Sequence, residues 1–460
     1  MIFYLLSLLC SCILGALIVL TDFFPAQNLW LPSILAYLSY QNSFLLDFEI
    51  ERRFFLFFCI AAFIIFSATV SIPLLFSKNN RKLSKIALSF VLIAITLIKT
   101  ETTFNFKYII SNNLKKSALY ENEFIHPVYS PSLQRKNLIV IFLESLENTY
   151  SSKKIFNKNL IPHLSGLNGT KIKGYQEILG LDNTSSALIG TFCGLPYIPL
   201  LQEIKRNRHS FRFPKNVCLT DILDKAGYQI YFYTAGDIKF ASKDIFLKTH
   251  HVHQIEDAKS LRRSEKDDGL SMFDGVKDSV LFDAVLNKIK DLKAEENPFA
   301  IFILTLNMHE PEGFLEKQCD KKTSPPFKDI VVCSDTQVYN FIDELKKTPV
   351  FKDTLIVLVG DHLARKNTLY HLLEKEKNRT IYNNFINAEK EFSNLDRSFT
   401  AMDIGATVLE LLDFRLNKGG LGLGRSLLRD EPTLLELYGK EALEKELLKK
   451  SKEYNDFLKN

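Results

Sequence analysis

The chain has 460 residues, with 58 Lys and Arg against 53 Asp and Glu for a net charge of +5. That balance, with no basic block interleaved with aromatics, gives no nucleic-acid signal. The length exceeds one ordinary domain, and the 46% of hydrophobic residues are unevenly spread, with the surplus at the front.

Residues 2–20 are uncharged and reach the roughly 20 residues that cross a bilayer. Residues 54–76 form a stronger span, and residues 83–98 a shorter one carrying Lys85 near its start. Residues 29–46 are ambiguous because Pro32, Gln41 and Asn42 interrupt them. A cleaved signal peptide is the competing reading of residues 1–20, but no basic region precedes them and no clear small-residue cleavage site follows. We therefore expect a transmembrane anchor of three or four helices over residues 1–99. Lys78, Arg81, Lys82 and Lys85 lie between two spans and belong in the cytoplasm, which places everything from about residue 100 outside. Arg52 and Arg53 pull weakly the other way. Residues 100–136 read as a juxtamembrane connector, in which Pro127 and Pro131 argue against one continuous helix.

From residue 137 short apolar runs alternate with helical stretches. "NLIVIFLES", "YQIYFYTAG", "FAIFILTLN" and "TLIVLVGDH" are near-continuous apolar runs, as expected of a parallel sheet covered on both faces. "DSVLFDAVLNKIKDL", "TQVYNFIDELKKT" and "DIGATVLELLD" have helical spacing. The region 137–432 therefore reads as an α/β sandwich, and residues 433–460 as a charged amphipathic helix. Cys10, Cys12 and Cys59 fall in apolar spans, while Cys193, Cys218, Cys319 and Cys333 fall in the outer domain. An even number in an oxidising compartment permits two disulfides. Three connectivities are open; proximity favours Cys193 with Cys218 and Cys319 with Cys333.

In such sheets the functional groups gather at the carboxyl ends of strands. Three of the four strands end in polar chemistry: Glu144 and Ser145, Asn307 and His309, Asp361 and His362. Glu144, Asp361 and His362 supply two carboxylates and an imidazole, a three-ligand metal site with an open position that suits zinc or manganese. The segment "GLDNTSSALIGTFCGLP" offers a nucleophile, Thr184, at an expected helix start, where unpaired amides stabilise an anion. The plain alternative makes Thr184 an ordinary helix cap. Two other motifs read as structural: "HHVH" at 250–253 as solvated histidines, and "GGLGLG" at 419–424 as a turn, since no strand leads into it.

Together, "NLIVIFLESLENTY", "NTSSALIGTFCGLP", "CLTDILDKAGYQIYFYTAG", "FASKDIFLKTH", "TLNMHEPEGF" and "FKDTLIVLVGDHLARKNT" resemble the phosphoglycerol transferase I family, which modifies osmoregulated periplasmic glucans. The resemblance runs in order from about residue 118 to 430. That family shares its fold with lipoteichoic acid synthases and the alkaline phosphatase superfamily, so the resemblance implies an alkaline phosphatase/sulfatase-type domain behind the transmembrane helices. It implies that Glu144, Thr184, Asp361 and His362 hold one divalent metal, manganese or zinc with magnesium as an alternative, and that Thr184 is the nucleophile. His309 matches a histidine that contacts the substrate phosphate, and Lys243 a basic position that contacts the phosphoglycerol. The four outer-domain cysteines match family positions, which supports the disulfides. The implied donor is phosphatidylglycerol, the implied acceptor a periplasmic glycan, and the implied place the bacterial inner membrane, multi-pass, with the catalytic domain periplasmic.

The chain departs from the pattern in two places. Longer members carry a further C-terminal domain, which leaves glycan choice open, and the family's Trp-Gly stretch is replaced around "DDGLSMFDGVKDS", the single tryptophan being Trp30. A sulfatase would need Cys or Ser followed by x-Pro-x-Arg, which "CGLPY" does not supply. A phosphoethanolamine transferase acting on lipid A or glycan, also with a threonine nucleophile, is the closer rival. A domain that binds glycan or lipid without turnover would tolerate loss of any candidate ligand, and this chain keeps all four.

Overall fold

A computed structural model describes residues 115–130, 136–198, 212–262, 275–292, 297–319, 326–365 and 367–458. The chain divides into two compact units, Met1–Lys115 and Lys116–Asn460. The expected transmembrane spans lie outside the described residues, among which no helix is long and apolar enough to cross a membrane.

The second unit is built on a six-stranded sheet of β1 (Asn137–Leu143), β2 (Gln229–Thr234), β3 (Gln254–Glu256), β4 (Phe299–Leu304), β5 (Thr354–Gly360) and β6 (Asn383–Ile386). The spatial order is β3-β2-β4-β1-β5-β6. All neighbours are parallel except β5 and β6. Every residue of β1, β4 and β5 is buried, so these strands carry uninterrupted apolar runs rather than an alternating pattern.

Alternate residues serve the two faces. Ile139, Ile141 and Leu143 join a core with α4 (Asp278–Asp291) and α5 (Phe327–Lys346). On the other face Phe142 and Phe302 meet Phe192 of α1 (Thr184–Cys193), with ring centroids 6.1 and 4.7 Å apart. Over α1 lies α6 (Ala401–Leu411), and the approach is so close that a Cβ on Gly405 would collide with the Thr191 carbonyl. Between these elements run α2 (Leu219–Lys225) and α3 (Lys243–Thr249). Cys193, the last residue of α1, is joined to Cys218, the residue before α2; Cys319 is joined to Cys333 in α5.

Three expectations are corrected. Residues 116–130, read as connector, pack as part of the second unit: Ile125 exchanges backbone bonds of 2.8 and 3.0 Å with Gly422, and Leu119, Tyr120 and Ile125 are buried. The tail is not one helix but three, α7 (Leu434–Tyr438), α8 (Lys440–Leu447) and α9 (Lys452–Phe457). Gly439, at φ 70°, ends the first, and the side chain of Ser451 starts the last by accepting from Tyr454 N. Tyr454 then anchors the tail by donating to the Pro196 carbonyl at 2.8 Å. Third, "HHVH" is not all solvated: His250 is buried with Nδ1 2.8 Å from Asp221. The "GGLGLG" turn is a hairpin, Gly420–Leu421 against Gly424–Arg425.

Candidate active site

Leu143 pairs with Gly360 in adjacent parallel strands, so the next residues, Glu144 and Asp361, leave the sheet side by side. Neighbouring hydroxyls hold Glu144, and backbone amides hold Asp361. Glu144 N donates to Thr305 Oγ1 at 2.9 Å, and Ser145 Oγ donates to Glu144 Oε1 at 2.9 Å. Asp361 Oδ1 accepts from Ser145 N and His362 N, each at 2.9 Å. To make this exchange Ser145 adopts φ 54°, a left-handed conformation that costs a non-glycine residue energy and is held here by its two bonds.

Thr184 reaches this cluster from α1. The structure corrects its expected role at the helix end: the cap is Asn183, whose side chain accepts from Ser186 N at 3.0 Å while Ser186 Oγ accepts from Asn183 N at 3.2 Å. Thr184 is the first helical residue, and its hydroxyl is left to the site. Thr184 Oγ1 lies 3.5 Å from both Glu144 Oε2 and His362 Nε2.

The donors fit a cation. His362 Nδ1 faces the Leu363 carbonyl at 2.9 Å and must donate to it, which leaves Nε2, 3.4 Å from Glu144 Oε1 and 3.5 Å from Asp361 Oδ2, as the nitrogen that could ligate a cation once its proton is displaced. Asp361 Oδ2 is buried without a hydrogen-bond partner. Ligands about 2.1 Å from a tetrahedral metal stand about 3.4 Å from one another, close to the separations found here. Glu144, Asp361 and His362 are all buried, and their ligand atoms lie within 4.8 Å of one another.

The charges point the same way. Burial, reinforced by the charge of Glu144, pushes the Asp361 carboxyl up to about 6. Burial opposes a charge on His362, but Asp361 and the hydrogen bond to Glu144 push the imidazole up to about 10. Burial also works against the Glu144 anion, yet His309 and His362 hold it down to about 2. Two carboxylates crowded onto one imidazole are short of positive charge, as a site made for a cation should be.

Of the remaining expected residues, His309 donates Nδ1–H to the Glu310 carbonyl at 2.7 Å and has a ring nitrogen within 4.8 Å of a Glu144 carboxylate oxygen. Lys243 begins α3 and is buried. Its Nζ donates to the Phe240 carbonyl at 2.8 Å and lies 4.9 Å from the Phe240 ring centroid. Burial pulls the ammonium down to about 8, against the charges of Asp237 and Glu144.

No local pattern in the sequence marks the residues that hold these groups in place. Asp278, the first residue of α4, accepts from the backbone of Leu306 and Asn307 at 2.8 and 3.1 Å, and Asn307 Nδ2 donates to buried Glu316 at 2.7 Å, which fixes the approach to His309. Glu147, fully buried, pairs with Arg379 and accepts from Ala364 N at 3.0 Å, bracing the turn after His362. Removing one partner of such a pair leaves a buried charge uncompensated. Arg379→Met is expected to destabilise the fold by about 3–5 kcal/mol, read as a lower denaturation midpoint. Adding Glu147→Leu should recover most of the loss, and equal losses in single and double variants would refute the assignment.

The protein-family model described as Sulfatase matches residues 136–414. The chain is 34% identical over 323 residues to the phosphoglycerol transferase I of Salmonella arizonae, covering 68% of this chain and 41% of that protein. It is 34% identical over 304 residues to that of Escherichia coli, covering 64% and 39%. The chain thus spans about two-fifths of the length of these relatives. Among solved structures, its fold matches a Vibrio parahaemolyticus protein of the alkaline phosphatase superfamily, with a TM-score of 0.54 and 19% identity over 72% of this chain and 79% of that one. It also matches the lipoteichoic acid synthase LtaP from Listeria monocytogenes, with a TM-score of 0.52 and 17% identity over 70% and 81%.

Proposed function

Because this chain belongs to the sulfatase family and is homologous to phosphoglycerol transferase I, we propose that it is a membrane-anchored, metal-dependent transferase. It moves phosphoglycerol from phosphatidylglycerol to a periplasmic glycan through Thr184. The observation that carries this reading is the placement of Thr184 Oγ1, at the first residue of a helix, 3.5 Å from both Glu144 and His362. Sulfatase activity itself is not proposed, since the segment from Asn183 lacks the Cys or Ser followed by x-Pro-x-Arg that it requires.

A divalent cation held by Glu144, Thr184, Asp361 and His362 would polarise the phosphoryl group and acidify the threonine hydroxyl. Thr184 Oγ1 attacks phosphorus, the bond from phosphorus to the diacylglycerol oxygen breaks, and diacylglycerol leaves with the threonine's proton. Glycerophosphate is then esterified to Thr184. A glycan hydroxyl attacks the same phosphorus, its proton returns to Thr184 Oγ1, and the substituted glycan departs. The helix dipole at the start of α1 would favour the charge of a phosphate bound at Thr184. His309 and Lys243 flank it; Lys243, with its pKa near 8, is mostly charged at neutral pH. The two disulfides support a periplasmic position for this unit.

The test is intact mass spectrometry of the full chain in detergent after incubation with manganese and phosphatidylglycerol, with phosphatidylethanolamine in a parallel sample. A glycerophosphate-sized adduct mapping to Thr184 is the expected result. A phosphoethanolamine adduct would make the protein the rival transferase, and no adduct with either lipid would count against a covalent mechanism.

A further inference from the structure

Resting on that reading, we propose that Arg365 is a further phosphate-binding residue, closing on the donor phosphate from the side opposite Lys243. Arg365 lies in the turn that leaves β5, and the backbone before it is pinned: Leu363 N donates to Glu177 at 2.9 Å, and Ala364 accepts from Arg379 at 2.5 Å. The side chain turns back over the site. Its Nη2 donates to the carbonyl of Asp182, two residues before Thr184, and its Nη1 lies 3.8 Å from Glu310 Oε1, the residue after His309. The guanidinium thus bridges the nucleophile's turn and the histidine's loop.

Other arginines here show what a structural guanidinium looks like. Arg379 grips both oxygens of Glu147 and the Ala364 carbonyl, with 9% of its side chain exposed. Arg397 satisfies Glu436 and two carbonyls, with 4% exposed. Arg365 has five N–H donors, of which one meets a carbonyl, while its carboxylate partner stays beyond hydrogen-bond reach and 32% of its side chain is exposed. The donors not engaged by the Asp182 carbonyl belong to a planar fork whose geometry suits two phosphate oxygens. The guanidinium lies within the charges of Glu310, Asp182, Glu177 and Glu144, all of which favour its cationic form, so an incoming phosphodiester anion would meet a counter-charge there rather than carboxylates alone. Lys243 follows β2 and Arg365 follows β5, on opposite sides of β1, so the pair would hold the anion from both flanks.

The experiment compares wild-type, Arg365→Gln and Arg365→Lys full-length chains in detergent with manganese. It reads kcat/KM for adduct formation from phosphatidylglycerol, the affinity for inorganic phosphate by calorimetry, and the melting temperature. Arg365→Gln is expected to lower kcat/KM by about 10²–10³ and to weaken phosphate binding by about 10- to 100-fold, with Arg365→Lys recovering part of both. Unchanged phosphate affinity in Arg365→Gln overturns the proposal even if turnover falls, because the arginine would then only brace the Asp182 turn. Should Arg365→Gln not fold, Arg365→Lys decides: weaker phosphate binding supports the proposal and wild-type affinity overturns it. If wild type forms no adduct with any lipid, the transferase reading fails, while the phosphate measurement still judges Arg365.

Discussion

Thr184→Ala is expected to abolish adduct formation and to reduce glycan transfer by on the order of 10⁴- to 10⁶-fold, the usual consequence of deleting a nucleophile. The fold should survive, because the helix does not depend on this hydroxyl: Asn183 and Ser186 form the reciprocal cap without it. An unchanged melting temperature beside lost turnover, read by mass spectrometry and thermal denaturation on one preparation, is the expected pair of results. Transfer within tenfold of wild type would mean that the phosphoryl group passes directly from lipid to glycan, with Thr184 a bystander.

Removing the metal is expected to have the next largest effect, and its pH dependence follows from the crowded charges. Without a cation, His362 retains its proton up to about pH 10. Metal binding must displace that proton, so affinity for zinc or manganese should rise about tenfold per pH unit between roughly 6 and 10. Stability follows with definite signs. The raised pKa of His362 favours the metal-free fold below its unfolded value of about 6.5 and loses that contribution as pH rises through about 10. Asp361, raised to about 6, costs stability as pH climbs past its unfolded value of about 3.9. Both make the metal-free chain weaker in alkali, so the melting-temperature gap between loaded and chelated protein should widen with pH. Calorimetry in buffers of different ionisation enthalpy counts the released proton; an affinity flat with pH would refute the picture.

Much of this was legible in the sequence where chemistry and burial coincide. β1, β2, β4 and β5 announce themselves as apolar runs because neighbouring strands and helices cover them. Glu144, Asp361 and His362 stand out as polar residues where such runs stop. β3 and β6 carry no such run because edge strands take polar side chains: in β6, Asn383 exchanges bonds of 2.8 and 2.6 Å with the backbone of Ile172 rather than filling a core. Asn183 and Thr184 are equally suited by type to cap the helix, and only geometry shows which residue bends out of it. Arg365, Glu147, Arg379 and Asp278 depend on partners far along the chain, so no local pattern marks them.

The pairing of Leu143 with Gly360 carries one more consequence. Each carboxylate is delivered by counting residues along a strand, and successive side chains in a strand point to opposite faces. The site is therefore a gauge of alignment between β1 and β5. Deleting or inserting one residue in either strand would turn a carboxylate away while leaving most of the backbone ladder available. A cation held at the strand ends would therefore act as a latch, favouring the one alignment of β1 and β5 that brings both carboxylates together.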